Sequence, residues 1–257
     1  MLAQSAGKEG FKVIAAAHQE ETDPGLTDLV DEILWIRLGQ LGKLIQFFKK
    51  HQVREAVMVG KISKDRMFSR VRPDLKGLTF FSKLAYRQDD HLLRALADEL
   101  EKEGIVICPS HIFLPHLIAP QGCWTNRHPN FREKEDICLG WRTAKALGAI
   151  DVGQCVVVKN RAVVAVEAME GTDETIKRGA VLARGKAVVI KVSKPHQDLR
   201  FDLPAVGKRT VEVLQTYGAA VLALEAGKTL AFDREAMVDL ANRCRISIIG
   251  LEDPEVS

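Results

Sequence analysis

The sequence has no long apolar run, no long basic run and no paired-cysteine motif, and each absence removes a class of protein. No apolar stretch reaches the ~20 residues of a membrane-spanning helix. Near the N-terminus, Gln4, Lys8 and Glu9 interrupt the apolar core that a signal peptide needs. Any membrane is therefore expected to be met from the surface. The formal net charge is only +3. The pairs Lys49-Lys50 and Lys208-Arg209 are short and read as solvated surface, so nucleic acid is not an expected partner. The five cysteines, Cys108, Cys123, Cys138, Cys155 and Cys244, are odd in number and widely spaced. That pattern argues against a disulfide framework or a zinc knuckle and fits reduced thiols in a cytoplasmic protein. H-E-x-x-H, the Walker loop and G-x-S-x-G are also missing. Without a nucleophile elbow, metal-dependent attack by water fits better than covalent serine chemistry.

What the sequence does contain is enough for a substantial core: 46% hydrophobic against 28% charged residues over 257 positions. The length suits one large domain or two small ones. Short apolar runs at Val13–Ala17, Ile33–Ile36, Ala56–Val59 and Ile105–Cys108 read as strands. Between them, Leu41–His51 and Asp89–Glu103 carry apolar residues at helical spacing. Alternating strands and helices predict a parallel α/β sheet. Pro109–Pro129 is rich in Pro, Gly and His with weak periodicity, and reads as a linker. Beyond it come a helix over Asn130–Gly148, a hairpin from Cys155 to Val166, a helix capped by Thr172, and further βα units to Gly250. The expected architecture is two α/β domains joined by a linker, over residues 1–120 and 121–257.

Two segments carry candidate chemistry. Lys194-Pro195-His196-Gln197-Asp198-Leu199-Arg200-Phe201-Asp202-Leu203-Pro204 follows an apolar strand, where ligand sites of open α/β sheets gather. If extended, it points Asp198, Arg200 and Asp202 to one face. Two carboxylates suit a hard cation such as Mg²⁺, and the arginine suits phosphate. The competing reading is a surface loop held by an Asp–Arg ion pair. The second segment, Glu167-Ala168-Met169-Glu170-Gly171-Thr172-Asp173, stands where a strand gives way to a helix. Its carboxylates could bind metal or orient water, whereas Thr172 and Asp173 would equally serve as helix caps.

Val166–Asp173 and Lys194–Gly207 (KPHQDLRFDLPAVG) together resemble the two signatures of the LpxI-type UDP-2,3-diacylglucosamine pyrophosphatases of lipid A synthesis. Ala226-Gly227-Lys228-Thr229-Leu230 and Gly60-Lys61-Ile62 resemble the same family. The resemblance covers nearly the whole chain and is strongest from Gly153 to Gly250. It implies Mg²⁺-dependent hydrolysis of UDP-2,3-diacylglucosamine to UMP and 2,3-diacylglucosamine 1-phosphate, lipid X. It also implies a cytoplasmic protein peripheral on the inner membrane, with homodimerisation left open. Under it, Asp198, Asp202 and Glu170 are the catalytic candidates, and Asp198, Asp202, Glu167 and Asp173 the metal candidates. Lys61, Lys194, Gln197, Arg200 and Thr172 are the substrate-binding candidates. Ile112, Phe113, Leu114, Leu117 and Ile118 are candidate walls for the acyl chains.

The sequence departs from the family pattern in two places. The apolar strand and Gly-rich turn that precede the first helix are missing before Met1-Leu2-Ala3, so the N-terminal domain is expected to be Rossmann-like without its first strand. His196 stands where a small residue is expected. The missing turn supports an alternative class, a non-catalytic nucleotide or lipid-phosphate binding module that has lost turnover, and the intact acidic signatures argue against it.

Overall fold

The computed structural model describes residues 1–60, 73–83, 89–200 and 202–254. The chain divides into two compact units, Met1–Leu114 with Asp198–Phe201, and Pro115–Gln197 with Asp202–Ser257. Both mix helices with strands, so the protein is a two-domain α/β protein.

The first unit holds two parallel strand pairs, β1 (Ile14–His18) with β2 (Glu32–Ile36), and β3 (Glu55–Val57) with β4 (Val106–Cys108). The helix Leu41–Lys50 follows β2, and the helix Asp89–Lys102 precedes β4. Leu41, Ile45 and Phe48 fall at helical spacing on one face, and they are buried with Ala97, Leu100, Ile105 and Ile107 in one cluster. The helix Leu75–Lys83 was not marked by sequence periodicity. It is entered from Asp74, whose Oδ1 accepts the Gly77 N–H at 2.8 Å.

The second unit is built on a six-stranded sheet of order β5-β12-β10-β8-β6-β7. Its strands are β5 (Gly122–Cys123), β6 (Cys155–Lys159), β7 (Ala162–Val166), β8 (Val188–Lys191), β10 (Val221–Glu225) and β12 (Ser247–Leu251). A separate small pair joins β9 (Ala205–Val206) to β11 (Leu230–Ala231). The central strands are buried on both faces, which explains their continuous apolar runs. Alternate residues divide between two cores. Val156, Val158, Val188 and Ile190 pack with Ile137, Trp141 and Ala144 of the helix Phe131–Ala149. Val157, Val189, Leu222 and Leu224 pack with residues of the helices Thr172–Leu182, Lys208–Tyr217 and Arg234–Arg243. A Cβ on Gly140 would lie 2.3 Å from Ile190 Cδ1, so glycine lets the long helix approach the sheet.

Local chemistry fixes these elements. The Asn130 side chain accepts the Glu133 N–H at 3.0 Å and Glu133 returns the bond to the Asn130 N–H at 2.9 Å, a capping box at the start of the long helix. The β6–β7 hairpin turns on Asn160 and Arg161, at φ 51° and 61°, the two positive values of a tight primed turn. Asp136, on the long helix, accepts both turn amides, at 3.0 and 2.5 Å. Thr172 is not the cap expected from the sequence. Gly171, at φ 83°, holds the cap position and makes no side-chain bond. Its positive φ is the reversal that a Cβ would strain.

Candidate functional site

β8, β10 and β12 are mutually parallel, and β6 runs antiparallel to both β8 and β7. The carboxyl ends of β7, β8, β10 and β12 therefore share one edge of the sheet with the start of β6. Both signature segments leave from this edge, Glu167 following β7 and Val192 following β8. Open α/β sheets place ligands at such an edge.

The segment after β8 is not extended. It turns at Pro195-His196 and again at Leu199-Arg200, because its own side chains fold back on the backbone. Gln197 Oε1 accepts the Lys194 N–H at 2.9 Å, and Asp198 Oδ1 accepts the Arg200 N–H at 3.1 Å. The predicted single face of Asp198, Arg200 and Asp202 is therefore replaced by two separate groupings. Asp198–Phe201 groups with the first unit and Asp202 with the second.

In the first grouping, Arg200 clasps Asp198 through Nε at 3.0 Å and Nη2 at 2.8 Å, and reaches Glu101 through Nη1 at 2.8 Å. The Ser110 N–H donates to the Arg200 carbonyl at 2.8 Å. The Arg200 bonds hold the Asp198 carboxyl below the usual carboxylate range. This is the Asp–Arg pair of the competing sequence reading.

In the second grouping, Gln197 Nε2 donates to Asp202 Oδ2 at 2.6 Å. Gln197 is 9% exposed, and Ser193 Oγ lies 3.2 Å from its Oε1. Behind it stand residues that sequence reasoning missed. Glu225 Oε2, at the carboxyl end of β10, accepts the Ser193 N–H at 2.8 Å and Lys145 Nζ at 2.5 Å. Lys145 Nζ also donates to the Ser193 carbonyl at 2.9 Å. Lys191 Nζ donates to the Ala205 carbonyl at 2.8 Å, tying β8 to β9. A signal for these residues was present. Glu225 is a charge ending the apolar run Val221–Leu224, and Lys145 follows Trp141 by one helical turn.

The other signature is anchored around Glu167, which is 7% exposed. Its Oε1 accepts the Thr172 hydroxyl at 2.9 Å and its Oε2 the Gln154 N–H at 3.3 Å. A Cβ on Gly153 would lie 2.1 Å from the Glu167 carbonyl oxygen, so this approach needs glycine. Glu170 pairs with Arg178 at 2.6 Å. Its carboxyl is held below its usual range, first by its own backbone N–H and then by Arg178. Asp173 pairs with Arg209 at 3.0 Å. Burial first, and Glu167 second, push the Cys155 thiol up, so this cysteine is an inert core residue.

Among the sequence-predicted residues, the structure thus joins Gln197 with Asp202, Asp198 with Arg200, and Glu167 with Thr172. Lys194 pairs with Asp151 at 2.5 Å. Lys61 lies outside the described residues. Leu114 and Leu117 are buried core residues and Ile112 is exposed. Among the described residues, no three His, Cys, Asp or Glu side chains assemble into a metal site. No helix among them is long and apolar enough to cross a membrane.

A two-domain α/β protein with paired acidic segments at one sheet edge is the class that fold and site define. Residues 1–117 match the model of the LpxI N-terminal domain and residues 120–249 that of the LpxI C-terminal domain. The UDP-2,3-diacylglucosamine pyrophosphatase LpxI of Caulobacter vibrioides is 33% identical over 231 residues, covering 86% of this chain and 82% of the relative. The chain belongs to the LpxI family.

Proposed function

We propose that this protein hydrolyses the pyrophosphate bond of UDP-2,3-diacylglucosamine, releasing UMP and 2,3-diacylglucosamine 1-phosphate. The observation that carries the reading is Asp202, held by Gln197 at 2.6 Å beyond the carboxyl end of β8, in a chain that belongs to the LpxI family. The Gln197 bond takes one carboxylate oxygen and leaves Oδ1 for a second role. In this reading Asp202 orients the attacking water or accepts its proton, a contribution of typically 10²–10⁴-fold. Lys194, Gln197, Arg200, Thr172 and Lys61 are the proposed substrate contacts, and Glu170 is a further catalytic candidate.

Magnesium is proposed as the cofactor. Mg²⁺ keeps several waters and is commonly held by one or two carboxylates plus substrate phosphates, so it does not require a three-residue cluster. Asp202 is the first candidate ligand. Asp198, Glu167 and Asp173 are the others, and each would first exchange its present partner, Arg200, Thr172 and Arg209 respectively. When bound, the ion would neutralise pyrophosphate charge.

The remaining assignments belong to the same proposal. The N-terminal unit is Rossmann-like, and its parallel pairs β1–β2 and β3–β4 support this. The protein works on the cytoplasmic face of the inner membrane, where its acylated substrate resides, and Ile112 remains a candidate acyl contact. The second reading, a binding module without turnover, is favoured by one observation: Asp198, Glu170 and Asp173 are each paired with an arginine. Incubation with UDP-2,3-diacylglucosamine and Mg²⁺ separates the two. UMP release supports the hydrolase, and substrate binding without UMP supports the module.

A further inference from the structure

The chain between β8 and β9 has no helix or strand among its described residues, yet it carries Gln197 and Asp202. No helix or ladder fixes its shape; side-chain bonds to the backbone do so together with single backbone bonds such as the Gln197 N–H to the Lys194 carbonyl at 3.1 Å. Its first residue beyond Val192 is Ser193, 2% exposed. Both backbone groups of Ser193 are claimed by one charged pair: the N–H by Glu225 at 2.8 Å and the carbonyl by Lys145 at 2.9 Å. Glu225 and Lys145 are joined to each other at 2.5 Å. From this clamp the bonds run outward. Ser193 Oγ and the Lys194 N–H hold Gln197 Oε1, and Gln197 Nε2 holds Asp202.

A buried ion pair is weak evidence for stability, because apolar residues of similar volume often replace it at no loss. Glu225 is 3% exposed at the end of an otherwise apolar strand, paired through Oε2 with the half-buried Lys145 and through Oε1 with Lys228 at 3.0 Å, so a charge at this position calls for a use. Its bonds supply one. Glu225 holds the Ser193 N–H and, through its pair with Lys145, the ammonium that binds the Ser193 carbonyl. That carbonyl shares one peptide plane with the Lys194 N–H from which Gln197 is hung, in the way an outer shell fixes the orientation of a reactive group.

We propose that Glu225, paired with Lys145, is a positioning residue for Asp202, acting through Ser193 and Gln197. The role rests on the hydrolase reading for its kinetic consequence, but the positioning itself can be read without turnover. The test uses the full chain with the Gln side-chain amides labelled for NMR, in wild type, Asp202→Ala and Glu225→Gln. The Gln197 amide signal is expected to move on Asp202→Ala and to move the same way on Glu225→Gln. With UDP-2,3-diacylglucosamine and Mg²⁺, kcat of Glu225→Gln should fall about 10–100-fold with KM unchanged. A Gln197 signal left at its wild-type position in Glu225→Gln would overturn the proposal. If wild type releases no UMP, the hydrolase reading fails alone and the amide signal still decides this one. The double variant Lys145→Met with Glu225→Leu covers the case in which Glu225→Gln does not fold. It is expected to fold, to show the moved Gln197 signal and to keep the low kcat. Wild-type kcat and an unmoved signal in that folded variant would make the pair a core element only.

Discussion

Gln197 presents its two amide atoms to opposite tasks: Oε1 accepts the Lys194 N–H at 2.9 Å while Nε2 donates to Asp202 Oδ2 at 2.6 Å. A backbone N–H can only donate, so it sets which way the amide points. Replacing Gln197 by Glu keeps the size but removes the donor and sets a second carboxylate against Asp202. Like charges at that range repel. Gln197→Glu is therefore expected to lower UMP release about 10–100-fold and to lower the melting temperature as well, because the new carboxylate is buried beside a like charge, as measured by steady-state assay and thermal unfolding. Unchanged turnover would show that this contact does not serve the site.

Asp202 itself should matter more. Asp202→Ala is expected to cost about 10²–10⁴-fold in kcat, the range for a removed general base, with folding preserved. Asp198→Ala is the second substitution. Its carboxyl is clasped by Arg200 within the first unit, so its loss also removes the partner of Arg200 Nε and Nη2 while the Nη1 bond to Glu101 stays. EDTA should abolish turnover in the wild type, and added Mg²⁺ should restore it. Near-wild-type rates in both alanine variants would make the acidic segment structural.

Strands and helices were legible wherever burial imposes a period. The runs at Val13–Ala17, Ile33–Ile36, Cys155–Val158 and Ala220–Leu224 are strands, and Leu41–His51 and Asn130–Gly148 are helices to within one or two residues. The helix Leu75–Lys83 was not, and Leu75 and Leu78 on it are exposed, so burial imposes no clear stripe there. The two-residue strands β9 and β11 are too short to show any period. In the candidate site, residue types pointed to Asp202 and Gln197, because polar residues after a buried strand stand out. The conformation of the segment was not legible. Asp and Gln side chains bond to nearby backbone and compete with an extended chain, and that outcome depends on Glu225 and Lys145, which are distant in sequence.

Gly153 is expected to tolerate no side chain. A Cβ there would stand 2.1 Å from the Glu167 carbonyl oxygen, a backbone atom that cannot swing aside. Gly153→Ala should therefore displace the β7 end that carries Glu167 and destabilise the fold by about 1–3 kcal/mol, the usual cost of overpacking. Urea unfolding measures it. Gly171→Ala provides a contrast, since no atom lies within 4 Å of its Cβ and only its φ of 83° opposes the change. A Gly153→Ala protein as stable as wild type would show that the two strand ends can separate at little cost.

Glu103 links stability to acid pH in the first unit. Its carboxylate accepts the ammonium groups of both Lys49 and Lys76. Those two bonds pull its carboxyl down to about 2, from an ordinary value of 4.5. A carboxyl that is more acidic in the folded chain adds stability that is complete above its unfolded value and disappears as pH falls through its folded value. The contribution should therefore be whole at pH 7 and vanish between pH 4.5 and 2. Glu103→Gln cannot titrate, so it should unfold more easily than wild type at pH 7 and equally easily near pH 2. Trp35 fluorescence reports the transition, since it is the tryptophan of the first unit while Trp124 and Trp141 belong to the second. Lys49 has a side chain 53% exposed, so salt should screen part of the effect. A gap between variant and wild type that stayed constant from pH 7 to pH 2 would show that the two lysines contribute packing and no charge.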